Sequence, residues 1–216
     1  MIEPSTPTLT PTLASILAST ITSTLESYPR EITVGENGTV TLRLMEKSDR
    51  DRMVDFARAL PPDDLLFLRK DITDPKVVDE WVREIERGRT VTVLAEKDDE
   101  LLAYASLLLH ETFWGRHMGE IRVLVRIDYR GLGLGLRLAS DVFAIAKEAR
   151  IEQMMARMTT EQKRTRERLE RLGFRVDGIL RGFVRDREGK RRDLLVMSAG
   201  VGRLTDTVQD GLWHRP

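Results

Sequence analysis

The sequence predicts a mixed α/β domain preceded by a short arm. Three observations carry the prediction. The spacing of apolar residues switches repeatedly between every second position and every third or fourth, giving the order β, α, α, β, β, β, α, β, α, β, β. A strand pattern (Val123, Leu124, Val125) runs through a glycine-rich turn straight into a helix pattern. Short polar turns at Glu96–Glu100 and Asp186–Gly189 join neighbouring strand patterns as hairpins. A chain of 216 residues has room for one domain of ordinary size, placed here at residues 31–200, with a tail at 201–216.

Each element has its own signal. Residues 1–30 are rich in Ser, Thr and Pro and almost uncharged. Residues 1–12 read as disordered. Leu13, Ile16, Leu17, Ile21 and Leu25 follow at helical spacing, as a docking helix weakened by β-branched neighbours. Val40, Leu42 and Leu44 alternate with polar residues as a strand. Ser48 caps a helix over about 49–59, and Pro61-Pro62-Asp63-Asp64 ends it. Asp74-Pro75 opens the next helix, with Val77, Val78, Trp81, Val82 and Ile85 as its apolar stripe and Gly88 closing it. Strands follow at Thr90–Ala95, Leu101–Leu109 and Glu120–Ile127. A helix with Leu136, Leu138, Val142, Phe143 and Ile145 comes next, then a strand at Met154–Met158. A charged helix over 161–172 ends at Gly173, before strands at Phe174–Val184 and Arg192–Ala199.

Composition narrows the chemistry. Without cysteine there are no disulfides, thiolate metal sites or cysteine nucleophiles, and three histidines make a histidine-rich metal site a poor fit, so no metal is expected. No run of about 18 apolar residues predicts a membrane helix, and residues 1–30 lack the basic start of a signal peptide. A cytoplasmic location is the expectation. Net charge is zero, but residues 1–100 carry 13 Lys and Arg against 20 Asp and Glu, and residues 101–216 carry 22 against 15. A basic second half suits an anionic ligand. Its Arg-rich helix (Lys163, Arg164, Arg166, Arg168, Arg171) interleaves Glu161, Glu167 and Glu170 and has no aromatic residue for base stacking, so nucleic acid is not the expected partner.

The turn Arg130-Gly131-Leu132-Gly133-Leu134-Gly135 is the most informative segment. A helix start leaves backbone N–H groups without partners and carries partial positive charge, and glycines let a ligand approach them. Together these make a pyrophosphate cradle, with Arg130 as an added cation. The glycine spacing does not fit G-x-G-x-x-G, and no lysine follows Gly135 as a P-loop requires. The plain alternative is a β–α turn that binds nothing.

Arg130 to Gly135, set between a strand and an amphipathic helix, resembles the cofactor motif of the GNAT superfamily of acetyl-CoA-dependent N-acyltransferases. Glu170-Arg171-Leu172-Gly173-Phe174 is similar to that family's helix-to-strand ending, and the element order after residue 118 fits. The likeness covers roughly residues 38–200. The run Glu120-Ile121-Arg122-Val123-Leu124-Val125 resembles the bacterial protein-lysine acetyltransferase branch. The resemblance implies a mostly antiparallel sheet of about seven strands, splayed between the fourth and fifth and flanked by helices on both faces. It implies that Val123, Leu124 and Val125 pair with the pantetheine arm of acetyl-CoA. Arg130, Gly131, Leu132, Gly133, Leu134 and Gly135 would then hold the pyrophosphate.

Acyl transfer to an amine needs a base, a polarised carbonyl and a departing thiolate. Glu120 is the candidate base, set against the plain reading of a strand-end residue paired with Arg122 or Arg116. His110 and Glu111 are weaker alternatives. A backbone N–H near Val125 would polarise the carbonyl. Many family members place a tyrosine general acid where this chain has Leu169, and an asparagine where it has Gln162. Lys163 or Arg164 could reach the 3′-phosphate of CoA, and Trp114 could line the acceptor site. Asp63, Asp64, Asp71 and Asp74 would suit a cationic amine, whether a protein lysine, an N-terminus or a small molecule. A non-catalytic acyl-CoA-binding regulatory domain remains the alternative. The N-terminal arm could also serve assembly, a homodimer included.

Overall fold

The computed structural model describes residues 22–202 apart from 36–37, 66–67, 69, 111, 113 and 187. The docking stripe before Leu25, Glu111 and the tail after residue 202 lie outside the described residues.

Eight strands form one sheet: β1 (Arg30–Thr33), β2 (Thr39–Leu44), β3 (Thr90–Lys97), β4 (Glu100–Leu109), β5 (Met118–Val125), β6 (Gln153–Thr159), β7 (Arg175–Arg185) and β8 (Arg191–Gly200). Their spatial order is β1-β2-β3-β4-β5-β6-β8-β7. Every pairing is antiparallel except that between β5 and β6. The sheet therefore has one strand more than the seven expected. The addition is β1, four residues whose exposure alternates without a fully buried position. The expected fourth and fifth strands are consequently β5 and β6.

The helices are α1 (Thr22–Glu26), α2 (Arg50–Ala59), α3 (Pro62–Leu65), α4 (Pro75–Glu86), α5 (Leu134–Glu148) and α6 (Lys163–Arg171). Asp74 caps α4, its side chain accepting from the Lys76 amide at 2.9 Å. The helices cover both faces. Leu138, Val142, Phe143 and Ile145 of α5 join Val93, Ala95, Leu107, Ile121 and Met154 in the larger core. Met53, Phe56 and Ala57 of α2 and Val78 and Val82 of α4 meet Leu94 and Tyr104 on the opposite face. Alternation along each strand feeds the two cores in turn, which is why β3 and β4 read as nearly continuous apolar runs. Each fully buried Leu, Ile or Phe contributes about 1.5–3 kcal/mol of transfer free energy.

Residues 22–33 are fastened to α5. The Thr24 amide donates to Glu148 at 3.1 Å, and the Tyr28 hydroxyl donates to Asp141 at 2.9 Å. Arg30 forms an ion pair with the same Asp141, which is buried. The stretch read as an arm thus contributes, from residue 22 onward, a helical turn and the start of an edge strand.

Candidate active site

β5 and β6 run side by side for only three residue pairs: Met118 with Gln153, Gly119 with Met154 and Glu120 with Met155. Beyond them β5 stays with β4 as far as Val125, and β6 stays with β8 as far as Thr159. A wedge opens between the two strands. The Arg126 amide donates to the Leu102 carbonyl at 2.9 Å. In an antiparallel ladder this fixes the alternation: Leu124 turns its N–H and C=O toward β4, and Val123 and Val125 turn theirs into the wedge. Of the three candidate pantetheine contacts, two therefore offer backbone groups there. The Val125 carbonyl already accepts from Arg130 Nε at 2.9 Å, which leaves its amide.

The glycine turn closes the wide end of the wedge. A single 3₁₀ turn (Ile127–Tyr129) leads into Arg130, and α5 begins at Leu134. Gly131 and Gly133 have φ of +82° and +83°, conformations that disfavour any residue with a Cβ. A Cβ on either would meet nothing within 4 Å, so the space before the helix is open. Gly135 serves a different purpose, because a Cβ there would lie 3.1 Å from Val125 Cγ2. Its absence lets α5 pack against β5. Leu134 is buried in the larger core and Leu132 packs at its margin. No side chain caps α5, so the amides of its first turn face the opening. Arg130 is not the loose cation that the sequence suggests. Its guanidinium is held between the Val125 carbonyl and Asp64 of α3.

Glu120 sits where the strands part and is only 6% exposed. It forms an ion pair with Arg157 of β6, a partner the plain reading did not name. The register explains the difference: Glu120 lies beside Met155, and Arg157 is the next residue of β6 on that face. Glu120, Arg122 and Leu124 face the side of the sheet that carries α2 and α4, since Ile121 belongs to the core under α5 and Leu124 to the one under α2 and α4. Also on that side, Trp81 Nε1 donates to Thr92 Oγ1 at 3.1 Å, and Thr92 and Ser106 share a hydrogen bond of 2.9 Å. Trp81 and Tyr104 make an edge contact at 5.0 Å between ring centroids. Burial pushes the Tyr104 phenol up to about 12 although Arg122 lies beside it.

The family model described as "Acetyltransferase (GNAT) family" matches residues 53–174, more than half of the chain. The chain belongs to the GNAT acetyltransferase family. It is accordingly an acyltransferase. Solved GNAT structures share the fold. A GNAT-family acetyltransferase from Streptococcus pneumoniae matches with TM-score 0.65 and 17% identity, over 74% of this chain and 99% of that one. The ribosomal-protein-alanine N-acetyltransferase of Brucella melitensis matches with TM-score 0.65 and 20% identity, over 74% and 98%. A Salmonella typhimurium protein, solved with its cofactor acetyl-CoA, matches with TM-score 0.65 and 20% identity, over 75% and 94%. No curated protein matches the chain by sequence.

Several other candidate residues of this GNAT domain have ordinary structural work. Leu169, at the position of the family tyrosine, packs against the larger core. Gln162 accepts from the Thr159 amide at 3.0 Å. Trp114 is 78% exposed on the loop before β5. Asp64 pairs with Arg130, Asp74 caps α4, and Asp71 accepts from Thr73 in its own turn. Three of the four carboxylates read as an acidic lure are thus occupied within the fold. The described residues hold no group of three or more His, Asp or Glu that could bind a metal, and none of the helices is long and apolar enough to cross a membrane. Sequence reasoning missed Arg157 and the Arg130–Asp64 link, because both depend on strand register and loop placement.

Proposed function

We propose that this GNAT enzyme moves an acetyl group from acetyl-CoA to a primary amine by direct attack in a ternary complex. The observation that carries the reading is the wedge between β5 and β6, with an open glycine cradle at its wide end and a buried carboxylate at its apex. The cradle fits a pyrophosphate: it has uncapped helix amides, two positive-φ glycines and no side chain in the space. Val123 and Val125 offer backbone groups to the pantetheine arm, and Leu124 anchors the strand to β4. Arg130 ties the turn to β5 and α3, so Gly131, Leu132, Gly133, Leu134 and Gly135 present their backbone in a fixed shape.

In this reading Glu120 takes a proton from the acceptor ammonium, directly or through water. The amine nitrogen attacks the thioester carbon while the Val125 amide stabilises the developing oxyanion. The C–N bond forms, the C–S bond breaks with the sulfur departing as thiolate, and the nitrogen sheds its second proton to solvent. No tyrosine stands at Leu169 to protonate it. A thiol with a reference pKa of about 8.5 leaves without that help. The same Leu169 favours the second reading, a domain that binds acyl-CoA without turnover.

The test is thiol release from acetyl-CoA across a panel of amines and lysine peptides, with Glu120→Gln alongside. Release that depends on one acceptor class and falls at least tenfold in the variant supports the enzyme with Glu120 as base. Tenfold corresponds to about 1.4 kcal/mol of barrier. Tight acetyl-CoA binding with no acceptor consumed supports the regulatory reading instead.

A further inference from the structure

Around Glu120 the structure leaves an uneven set of polar groups. Among the described residues, buried side-chain atoms without a hydrogen-bond partner include His110 Nε2 and Arg157 Nε. Tyr104 projects toward α2 and α4. Arg157 and Thr159 alternate with Met154, Ala156 and Met158, which face the opposite core, so they project from the same side as Tyr104. His110 directly follows β4. Burying a donor or acceptor without a partner costs about 1–3 kcal/mol. A buried guanidinium nitrogen without an acceptor, on the residue that pairs with Glu120, is the mark of a polar ligand site.

The charge on this face is also uneven. Glu120 is answered by Arg157. Arg122, two residues along β5 on the same face, is half-buried and makes no ion pair among the described residues, and it lies beside the Tyr104 hydroxyl. Its Cβ stands about 6–7 Å from that of Glu120. Arg157 adds a buried Nε without an acceptor. A guanidinium presents a flat fork of N–H donors that matches a carboxylate.

We propose that Arg122, supported by Arg157, binds a carboxylate on the acceptor, and that the acceptor is a free amino acid or a close analogue. The inference rests on the acetyltransferase reading above and refines it. An amino acid with its amine at Glu120 reaches Arg122 with its carboxylate, because both groups are bonded to the same α-carbon and the arginine side chain spans the remaining distance. A lysine side chain carries no carboxylate near its amine and gains nothing from Arg122. The pairing of Asp64 with Arg130 removes one of the acidic attractions for a polycationic acceptor.

The experiment measures thiol release by the full chain at saturating acetyl-CoA. Acceptors are the protein amino acids, their α-amides and a lysine peptide. Free acids should exceed their amides at least tenfold in kcat/KM. Arg122→Gln should raise KM for the acids at least tenfold, abolish the acid-over-amide preference, and keep KM for acetyl-CoA within twofold. Arg122→Lys, which retains charge but not the fork, should show an intermediate preference, and it serves if Arg122→Gln fails to fold. Equal use of acids and amides, preference for the lysine peptide, or an equal loss for acids and amides in the variant overturns the proposal and leaves the transferase reading standing. If no acceptor is consumed, the transferase reading fails on its own. The carboxylate site is then decided by NMR titration of the same acids and amides against wild type and Arg122→Gln. Acid-selective binding lost in the variant upholds the site, and binding without selectivity overturns it.

Discussion

At the scale of single residues, position rather than type decides the chemistry. Glu120 was readable as a candidate because it opens the strand before the glycine turn, but its partner was not. Arg157 is 37 residues away and meets it only through the parallel register of β5 and β6. Arg130 shows the reverse case: the motif marks it as a cation for phosphate, and the fold occupies it with Val125 and Asp64. Gly133 yields a direct prediction. With φ at +83°, Gly133→Ala costs roughly 1–2 kcal/mol of stability in a denaturant titration. Its Cβ also enters the cradle, so acetyl-CoA affinity should fall by more than the stability loss alone explains. Tyr104 yields another. Its phenol stays protonated to about pH 12, against about 10 in the unfolded chain. Only the unfolded state loses the proton in between, so stability declines as pH rises from about 10 to about 12. Alkaline denaturation of wild type and Tyr104→Phe checks this, and the phenylalanine variant should lack that part of the decline.

At the scale of elements, long periodic segments were legible and short ones were not. The helix after the glycine turn has a full apolar stripe and is found as α5. The strand β1 escaped because four half-exposed residues carry no apolar run. The single turn α3 escaped because Pro61-Pro62-Asp63-Asp64 reads as a helix stop, whereas Pro62 also suits a first helical position. The junction of β2, β3 and α2 depends on charges that the period of the sequence does not reveal. Burial alone would raise the Asp49 carboxyl, but hydrogen bonds from Arg43 and from the Glu46 amide outweigh it and hold it below the usual range. Glu96, bonded to Arg43 and Arg52, is lowered as well. Groups depressed in the folded state contribute stability above their unfolded pKa values of about 4 and lose it as pH falls through the folded ones. Urea midpoints should therefore drop below about pH 4. Asp49→Asn should flatten part of that dependence while lowering stability at pH 7. Asp141 ties residues 22–33 to α5, and Asp141→Asn should cost on the order of 1–3 kcal/mol by weakening its bonds with Tyr28 and Arg30.

At the scale of the whole molecule, two cores on opposite faces of one sheet support the wedge between β5 and β6. Alternation gave the class of fold, and the wedge was anticipated from the family likeness of the glycine turn, not from periodicity. Pairing register is a property of the folded sheet, which is why no local pattern in the sequence marks where β5 leaves β6. Leu138 is fully buried between α5 and the sheet, so Leu138→Ala should cost about 2–5 kcal/mol and loosen the helix that carries the cradle. The central claim is that acetyl-CoA lies in the wedge with its pyrophosphate at the start of α5. Calorimetric titration of acetyl-CoA into wild type and Gly133→Val tests it most directly. The account predicts saturable one-to-one binding to wild type and at least a tenfold weaker constant for a folded variant. Absence of binding to wild type, or equal binding to both, would contradict it.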